Sequence, residues 1–224
     1  MLDATSWAAI RLSLLLAGST TALLVLLGTP LAWWVARGQS RWRLPVRALI
    51  AMPLILPPTV LGFYLLLALG PGALGGWLAP WTGAPTLAFS FAGLLLASLL
   101  YSLPFVLQPL IGAFESFERH QLEAATTLGA RPLAVFGRVV LPACRPAYLT
   151  AAVMGFAHTL GEFGVVLMVG GNIAGQTRVI SVQLFVHVES LEYAQAHTLA
   201  AGMLMFSFAV LCLLQAMQAR QHRG

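Results

Sequence analysis

The stretch Glu115–Pro142 reads ESFERHQLEAATTLGARPLAVFGRVVLP, and it decides the fold class because it is a polar insert between apolar segments. The region that precedes it, Ala48–Phe114, has no charged side chain. The insert itself carries three glutamates and three arginines, which are Glu115, Glu118, Glu123, Arg119, Arg131 and Arg138. A polar insert of this length beside a membrane predicts a docked partner.

The composition identifies an integral membrane protein. The 224 residues are 59% hydrophobic and only 8% charged, and the mean hydropathy is +0.85. A soluble domain has about 45–50% apolar and about 25% charged residues, so this chain cannot keep a soluble surface hydrated. The net charge of +5 does not indicate nucleic-acid binding, because the arginines cluster at the ends of apolar segments and form no single basic face.

Hydropathy predicts an all-α, polytopic bundle in a single domain, residues 1–224. A membrane-spanning helix needs about 20 apolar residues. Five intervals meet this length, and they are 12–36, 47–69, 86–114, 146–169 and 198–219. Residues 70–85, rich in Gly, Pro and Trp, are expected to form a plain loop, with a re-entrant turn as the alternative. The mixed segment after the fourth span is expected to form about one surface helix.

The arginine distribution predicts the orientation. Arginines accumulate in cytoplasmic loops. With five spans, the first loop, the polar insert and the C-terminal tail all fall on one side, and the other side keeps only Arg11 and Arg178. We therefore expect a multi-pass protein of the bacterial inner membrane with a periplasmic N-terminus and a cytoplasmic C-terminus. A sixth helix within residues 70–85 would instead place these arginines on both sides.

The insert, residues 115–142, is predicted to form a helix–turn–helix on the cytoplasmic side. Residues 117–128 can form a short helix, and Gly129 can end it with a positive φ. Pro132 suits the first turn of the next helix, and Pro142 is expected to break the hydrogen-bond ladder. Glu123 would offer a charge to a basic group of the partner.

The spacing in this insert resembles the EAA signature of ABC importer permeases: E-A-A, three residues, G, nine residues, an aliphatic residue, any residue, then L-P. Val139 stands where isoleucine is common. In that family the insert is the coupling helix that lies in a groove of the cytoplasmic ATPase, on a type I ABC importer permease fold. The resemblance therefore implies a set of ATPase-coupling residues, which are Glu123, Ala124, Ala125, Gly129, Leu141 and Pro142.

Two further runs resemble molybdate and sulfate permeases. Residues 54–62 read LILPPTVLG, and residues 158–164 read HTLGEFG, followed by MVGGNIAG at 168–175. The second run is most similar to the molybdate branch, although Ala174 replaces its usual proline. The resemblance implies import of molybdate, with tungstate as a second candidate anion. A sulfate or thiosulfate permease is the alternative.

The resemblance also implies the partners. These are a second copy of the chain, a dimer of cytoplasmic ABC ATPases and a periplasmic oxyanion-binding protein, all arranged around the lipid bilayer. The chain itself has no P-loop and no lysine to serve in one, so it is expected to be no enzyme, to have no catalytic residue and to bind no cofactor. ATP and Mg²⁺ would be bound by the ATPase. No metal site is expected, because the histidines are scattered.

Two sets of residues within the spans are candidate sites. Pro57 and Pro58 remove two backbone donors, which predicts a broken helix beside the translocation path with Thr59 facing an oxyanion; the alternative is a simple packing kink. Glu162 is an ionisable group within a span, and we expect it to have a structural or gating role rather than to contact the anion. It could pair with His158, four residues earlier on the same helix face, or accept hydrogen bonds from backbone or hydroxyl donors near Gly161 and Gly164. An ion-coupled secondary transporter would use such carboxylates, but Glu162 is the only one and no inverted repeat is evident.

Overall fold

The computed structural model describes residues 3–82, 86–118, 120, 129 and 131–221. All regular secondary structure in these described ranges is helical. The helices are α1 (Ala4–Arg37), α2 (Arg43–Ala51), α3 (Pro58–Leu69), α4 (Leu74–Thr82), α5 (Phe91–Ser116), α6 (Pro132–Ala143), α7 (Arg145–Gly161), α8 (Gly164–Gly170), α9 (Ile180–Glu189) and α10 (Tyr193–Gln221).

Three of these helices, α1, α5 and α10, are long and apolar enough to cross a membrane. Two bent pairs of helices are apolar enough as well. The segment Arg43–Leu54 meets α3 at 111°, and α6 meets α7 at 72°. The described part of the chain therefore contains three candidate spans, or up to five if each bent pair is one span. The all-α, polytopic class predicted from hydropathy is confirmed.

Helices α1, α5 and α7 form the centre of the bundle, and small residues let them approach closely. A Cβ atom placed on Gly28 of α1 would lie 2.6 Å from Cδ1 of Leu107 in α5. A Cβ atom on Gly155 of α7 would lie 2.4 Å from Cγ2 of Val106. Lipid tails are as apolar as the side chains, so the hydrophobic effect does not drive membrane helices together. Small residues let the helices approach closely and gain van der Waals contact instead.

The prediction of a plain loop between the second and third spans was wrong for residues 74–82, which form α4. The N–H groups of Gly76 and Trp77 donate to the carbonyl of Ala73, and Gly76 also donates to Gly70. A helix satisfies its backbone groups internally, which matters where water is scarce. Residues 83–85 lie outside the described ranges.

The helical break expected at Pro142 lies instead at Cys144. Helix α6 continues through Pro142 to Ala143, and it contains a π-helical turn at Phe136–Val140. A proline ring clashes with the carbonyl four residues before it. The wider turn directly before Pro142 relieves that clash, and the chain bends at Cys144, where φ is −90° and ψ is 5°.

The helix expected on the surface after the fourth span is α9, and it is half-buried. Ile180, Val182, Gln183 and His187 are all buried in it. The hydrophobic pattern of the segment was too mixed to reveal this face, because two of its four buried residues are polar.

Candidate functional site

The first helix break lies at the paired prolines. A 3₁₀ turn at Met52–Leu54 precedes Pro57, whose ψ of 134° is extended. Pro58 then begins α3 as its first residue, where a missing N–H is harmless. The broken helix predicted at Pro57 and Pro58 is confirmed, and both prolines and Thr59 are exposed on the surface of this chain.

The second break lies at Glu162 and Phe163. Helix α7 ends at Gly161, Glu162 is extended with ψ of 132°, and α8 begins at Gly164. The predicted fourth span, 146–169, is therefore interrupted after Gly161. Glycines on both sides of Glu162–Phe163 make the change of direction sterically easy.

The two breaks lie against each other. A Cβ atom on Gly164, at the start of α8, would lie 2.9 Å from Cβ of Pro58. One turn further into α3, a Cβ atom on Gly62 would lie 2.9 Å from Cβ of Met168 and 3.2 Å from Cα of Val165. The two sequence runs LILPPTVLG and HTLGEFG, about a hundred residues apart in the chain, thus form one crossing of broken helices. Hereafter this contact is called the break crossing.

Glu162 is buried at the break crossing, with 4% of its surface exposed. Its Oε2 accepts a hydrogen bond from Oγ of Ser98 in α5 at 2.9 Å. Its main-chain carbonyl accepts one from the hydroxyl of Ser181. Its Oε1 is buried and has no hydrogen-bond partner among the described residues. An unpaired buried polar atom costs free energy, and an ionisable group within a membrane span is by default a candidate functional site.

The predicted direct pair between His158 and Glu162 was wrong, since each side chain bonds to a different serine of α5. Because Glu162 is not helical, the spacing of four residues does not place the two side chains on one face. Nδ1 of His158 lies 2.9 Å from Oγ of Ser102, whose hydroxyl lies 2.8 Å from that of Thr159. Thr159 donates to the carbonyl of Gly155 at 2.9 Å.

One arrangement of protons satisfies this whole chain of contacts. Nδ1–H of His158 donates to Ser102, Ser102 donates to Thr159, and Thr159 donates to the backbone. Each hydroxyl then donates once and accepts once. The imidazole also stacks on Phe105, with ring centroids 3.7 Å apart. Its orientation is thus fixed from two sides.

The predicted coupling insert is described only in part. Gly129 has a φ of +76°, the left-handed conformation that its position predicts, and Pro132 begins α6 as predicted. Leu141 and Pro142 lie in the last turn of α6. Glu123, Ala124 and Ala125 lie outside the described residues, so the predicted coupling role of the insert stays a prediction.

Arginines attach the start of this insert to the bundle. A guanidinium N–H of Arg37, the last residue of α1, donates to the carbonyl of Phe117. Arg47 of α2 pairs with Glu115, with 2.5 Å between Nη1 and Oε1. These two contacts therefore connect α1 and α2 to the C-terminal end of α5.

Sequence reasoning missed Ser98 and Ser102, which bond to Glu162 and His158. A signal was available, because the two serines are four residues apart within the uncharged interval 86–114 and so share a helix face. Both are fully buried. Ser181 was missed for another reason, since only the tertiary fold brings α9 to the break crossing.

Interrupted helices that contact each other at their breaks, with polar groups gathered there, are characteristic of membrane transport proteins. The fold and the break crossing thus define a transport permease. The chain belongs to the family described as binding-protein-dependent transport system inner membrane component, whose profile matches residues 28–223.

Several relatives share most of this chain. It is 58% identical over 207 residues to the molybdenum transport system permease protein ModB of Azotobacter vinelandii, covering 92% of each chain. It is 39% identical over 182 residues to the protein of the same name from Mycobacterium tuberculosis, covering 81% of this chain and 68% of that one. It is 32% identical to the sulfate transport system permease protein CysT of Escherichia coli, covering 95% of this chain and 76% of that one.

Solved structures share the fold. A bacterial alginate ABC transporter in complex with a periplasmic protein matches 97% of this chain and 80% of its own chain, with a TM-score of 0.74 at 18% identity. An inward-facing MetNI methionine ABC transporter matches 94% of this chain and 93% of its own chain, with a TM-score of 0.64 at 15% identity. The chain therefore has the type I ABC importer permease fold that its insert predicted.

Proposed function

We propose that this chain is the membrane subunit of an ATP-driven importer that moves molybdate, and with it tungstate, into the cytoplasm. The observation that carries this proposal is the 58% identity to a molybdenum permease along 92% of both chains. The sulfate permease of E. coli is 32% identical, which makes sulfate or thiosulfate the second candidate substrate.

The energy source we propose is a separate ATPase. Moving a dianion inward against an inside-negative potential costs about 2.3 kcal/mol per charge per 100 mV, or about 4.6 kcal/mol for molybdate, before any concentration gradient. The chain contains no lysine and no P-loop to bind ATP. ATP and Mg²⁺ are therefore assigned to the partner, whose surface would receive the insert between α5 and α6.

The surface near Gly129 fits such a partner. Gly129, Arg131 and Pro132 are exposed, and Leu133 is 88% exposed. An apolar side chain beside a tight glycine turn allows another protein to approach the backbone closely. We assign the coupling role to Glu123, Ala124, Ala125, Gly129, Leu141 and Pro142.

The translocation path is assigned to the interface of two copies. Pro57, Pro58 and Thr59 are exposed at the break crossing, and His158 is only half-buried. A two-fold dimer is the commonest closed symmetry, and it would place two break crossings on either side of one central path. A periplasmic binding protein would deliver the anion at the side opposite to the arginine-rich loops, where the N-terminus lies.

Helix α6 would transmit the movement of the ATPases to the break crossing. Closure of the ATPases on ATP would draw the two inserts together and move α6. Because α6 is joined to α7 at the 72° bend, and α7 ends at Glu162, the motion would reach the break crossing. The two copies would then open the path outward, and hydrolysis would reset it.

Competition experiments test the substrate. Cells that express the chain with its native partners take up labelled molybdate in the presence of excess tungstate or sulfate. We expect tungstate to suppress uptake and sulfate to leave it nearly unchanged. Equal suppression by sulfate would assign the chain to sulfate import instead.

A further inference from the structure

A cavity with three arginines in its wall lies where α1 ends and α2 begins. Its volume is 350 Å³. It is lined by Val35, Ser40, Arg41, Arg43, Leu44 and Arg47. Three arginines on one small cavity are unusual in a chain with twelve basic residues in all.

Two of the three guanidinium groups are held in place by the protein. Arg43 caps the end of α1, donating to the carbonyls of Val35 at 2.6 Å, Ala36 at 2.9 Å and Gly38 at 2.6 Å. Those carbonyls carry only partial charge, so the arginine keeps its full positive charge. Arg47 is paired with Glu115 at 2.5 Å.

Arg41 has no carboxylate within salt-bridge distance among the described residues, and its guanidinium lies 5.9 Å from the ring of Trp42. The three arginines that line the cavity therefore carry three positive charges, and only one of these is paired with a carboxylate of the described residues, that of Glu115. Arg43 uses three of its five N–H donors on the α1 carbonyls. Ser40 Oγ accepts from the N–H of Trp42 and keeps its own hydrogen to donate. The residues that line the cavity therefore keep unused N–H and O–H donors that an anion could accept from.

The rim of the cavity is apolar. Leu44 is 78% exposed, and Trp42 and Leu49 are each 61% exposed. Helix α2 turns away from the candidate span α3 by 111°, so it does not continue along the direction of α3. A short helix with arginines on one face and exposed leucines beside them is typical of a helix that lies in the membrane interface.

We propose that this cavity binds the phosphate group of an anionic phospholipid, with its acyl chains lying along Leu44 and Leu49. The apolar rim distinguishes this ligand from a free inorganic anion, which would gain nothing from it. Basic pockets beside membrane helices recognise lipid head groups in this way. The proposal does not depend on which anion the permease transports.

Tryptophan quenching by brominated lipids tests the proposal. The full chain, purified and placed in phosphatidylcholine vesicles, receives equal mole fractions of brominated phosphatidylglycerol or brominated phosphatidylcholine. Subtracting the signal of Trp42→Phe isolates Trp42. We expect stronger quenching of Trp42 by the anionic lipid. Arg41→Gln should lower this preference about fivefold, as expected for one arginine at a membrane surface, and Arg41→Lys should retain most of it.

Arg11→Gln is the matched control. Arg11 lines a cavity of the same volume, 350 Å³, at the opposite end of α1, and that cavity has no second arginine. Arg11→Gln should leave the quenching preference at Trp42 unchanged. Added salt should weaken the preference, since screening shortens the reach of exposed charges.

Three results would overturn the proposal. The first is equal quenching of Trp42 by both brominated lipids in the unaltered protein. The second is loss of the anionic preference on adding inorganic phosphate at constant ionic strength, which would assign the cavity to free phosphate. The third is a preference that survives Arg41→Gln while the ATPase no longer copurifies, which would assign Arg41 to a protein partner.

Discussion

A single methyl group added at the break crossing tests whether the two broken helices truly pack there. In Gly62→Ala the new Cβ would lie 2.9 Å from Cβ and 3.1 Å from Cγ of Met168, and 3.2 Å from Cα of Val165. Carbon atoms in contact prefer about 3.5–4.0 Å, so α3 and α8 would have to separate by several tenths of an ångström. The neighbouring atoms are backbone or next to it, and they cannot rotate away.

The magnitude follows from two opposing terms. Overpacking a filled interior costs about 1–3 kcal/mol, whereas alanine in place of glycine favours a helix by about 1 kcal/mol. Gly112→Ala in α5 carries only the second term, because a Cβ atom there meets nothing within 4 Å. The free energy of unfolding of Gly62→Ala should therefore lie about 1–3 kcal/mol below that of Gly112→Ala.

The measurement is the unfolding midpoint of the two purified full-length variants in the same detergent, with anion uptake in cells alongside. We expect Gly62→Ala to unfold earlier and to lose more uptake than its amount in the membrane explains. If Gly62→Ala is as stable as Gly112→Ala, then α3 and α8 do not pack closely at Gly62, and the result contradicts the contact between the two broken helices.

Three further predictions concern the polar contacts and the insert. Ser98→Ala and Glu162→Leu should show a coupling energy of about 0.5–3 kcal/mol in a double-mutant cycle of unfolding, since each change removes the buried hydrogen bond that the two side chains share; strictly additive effects would contradict that bond. Arg43→Ala should lower the free energy of unfolding by about 1.5–3 kcal/mol, because it removes the charged cap of α1, and Arg43→Lys should restore only part of it, since an ammonium cannot reproduce the three-donor fork. Gly129→Val forces a branched side chain into the left-handed region at a cost of about 1–3 kcal/mol, so uptake should fall while the amount of protein in the membrane stays unchanged. The control is Gly137→Ala, because a Cβ atom there meets open space. Equal uptake by both variants would show that transport does not depend on the turn at Gly129.

Features set by local chemistry were predictable from the sequence. Long apolar runs identified α1, α5 and α10, and paired prolines identified the break at Pro57–Pro58. A glycine followed three residues later by a proline identified the left-handed turn at Gly129 and the start of α6. Apolar runs act through their hydropathy, and proline and glycine act through their own backbone, so no knowledge of the tertiary fold was needed.

Features set by tertiary packing were not predictable. The fourth span looked continuous because Gly161–Gly164 contains a single charged residue within a long apolar interval, yet the chain changes direction there. The acceptance of a serine hydrogen bond by Glu162 depends on how α5 crosses the break, which no local pattern encodes.

The central claim is that ATP hydrolysis by a separate subunit drives transport through this chain, and uptake by proteoliposomes tests it most directly. The chain is reconstituted in vesicles together with the ATPase that copurifies with it, and the periplasmic binding protein is added outside with labelled molybdate. Uptake with ATP enclosed in the vesicles is compared with uptake driven by a proton or sodium gradient alone. We predict uptake that requires both ATP and the ATPase and that ion gradients do not replace. Uptake driven by an ion gradient through the chain without the ATPase would contradict it.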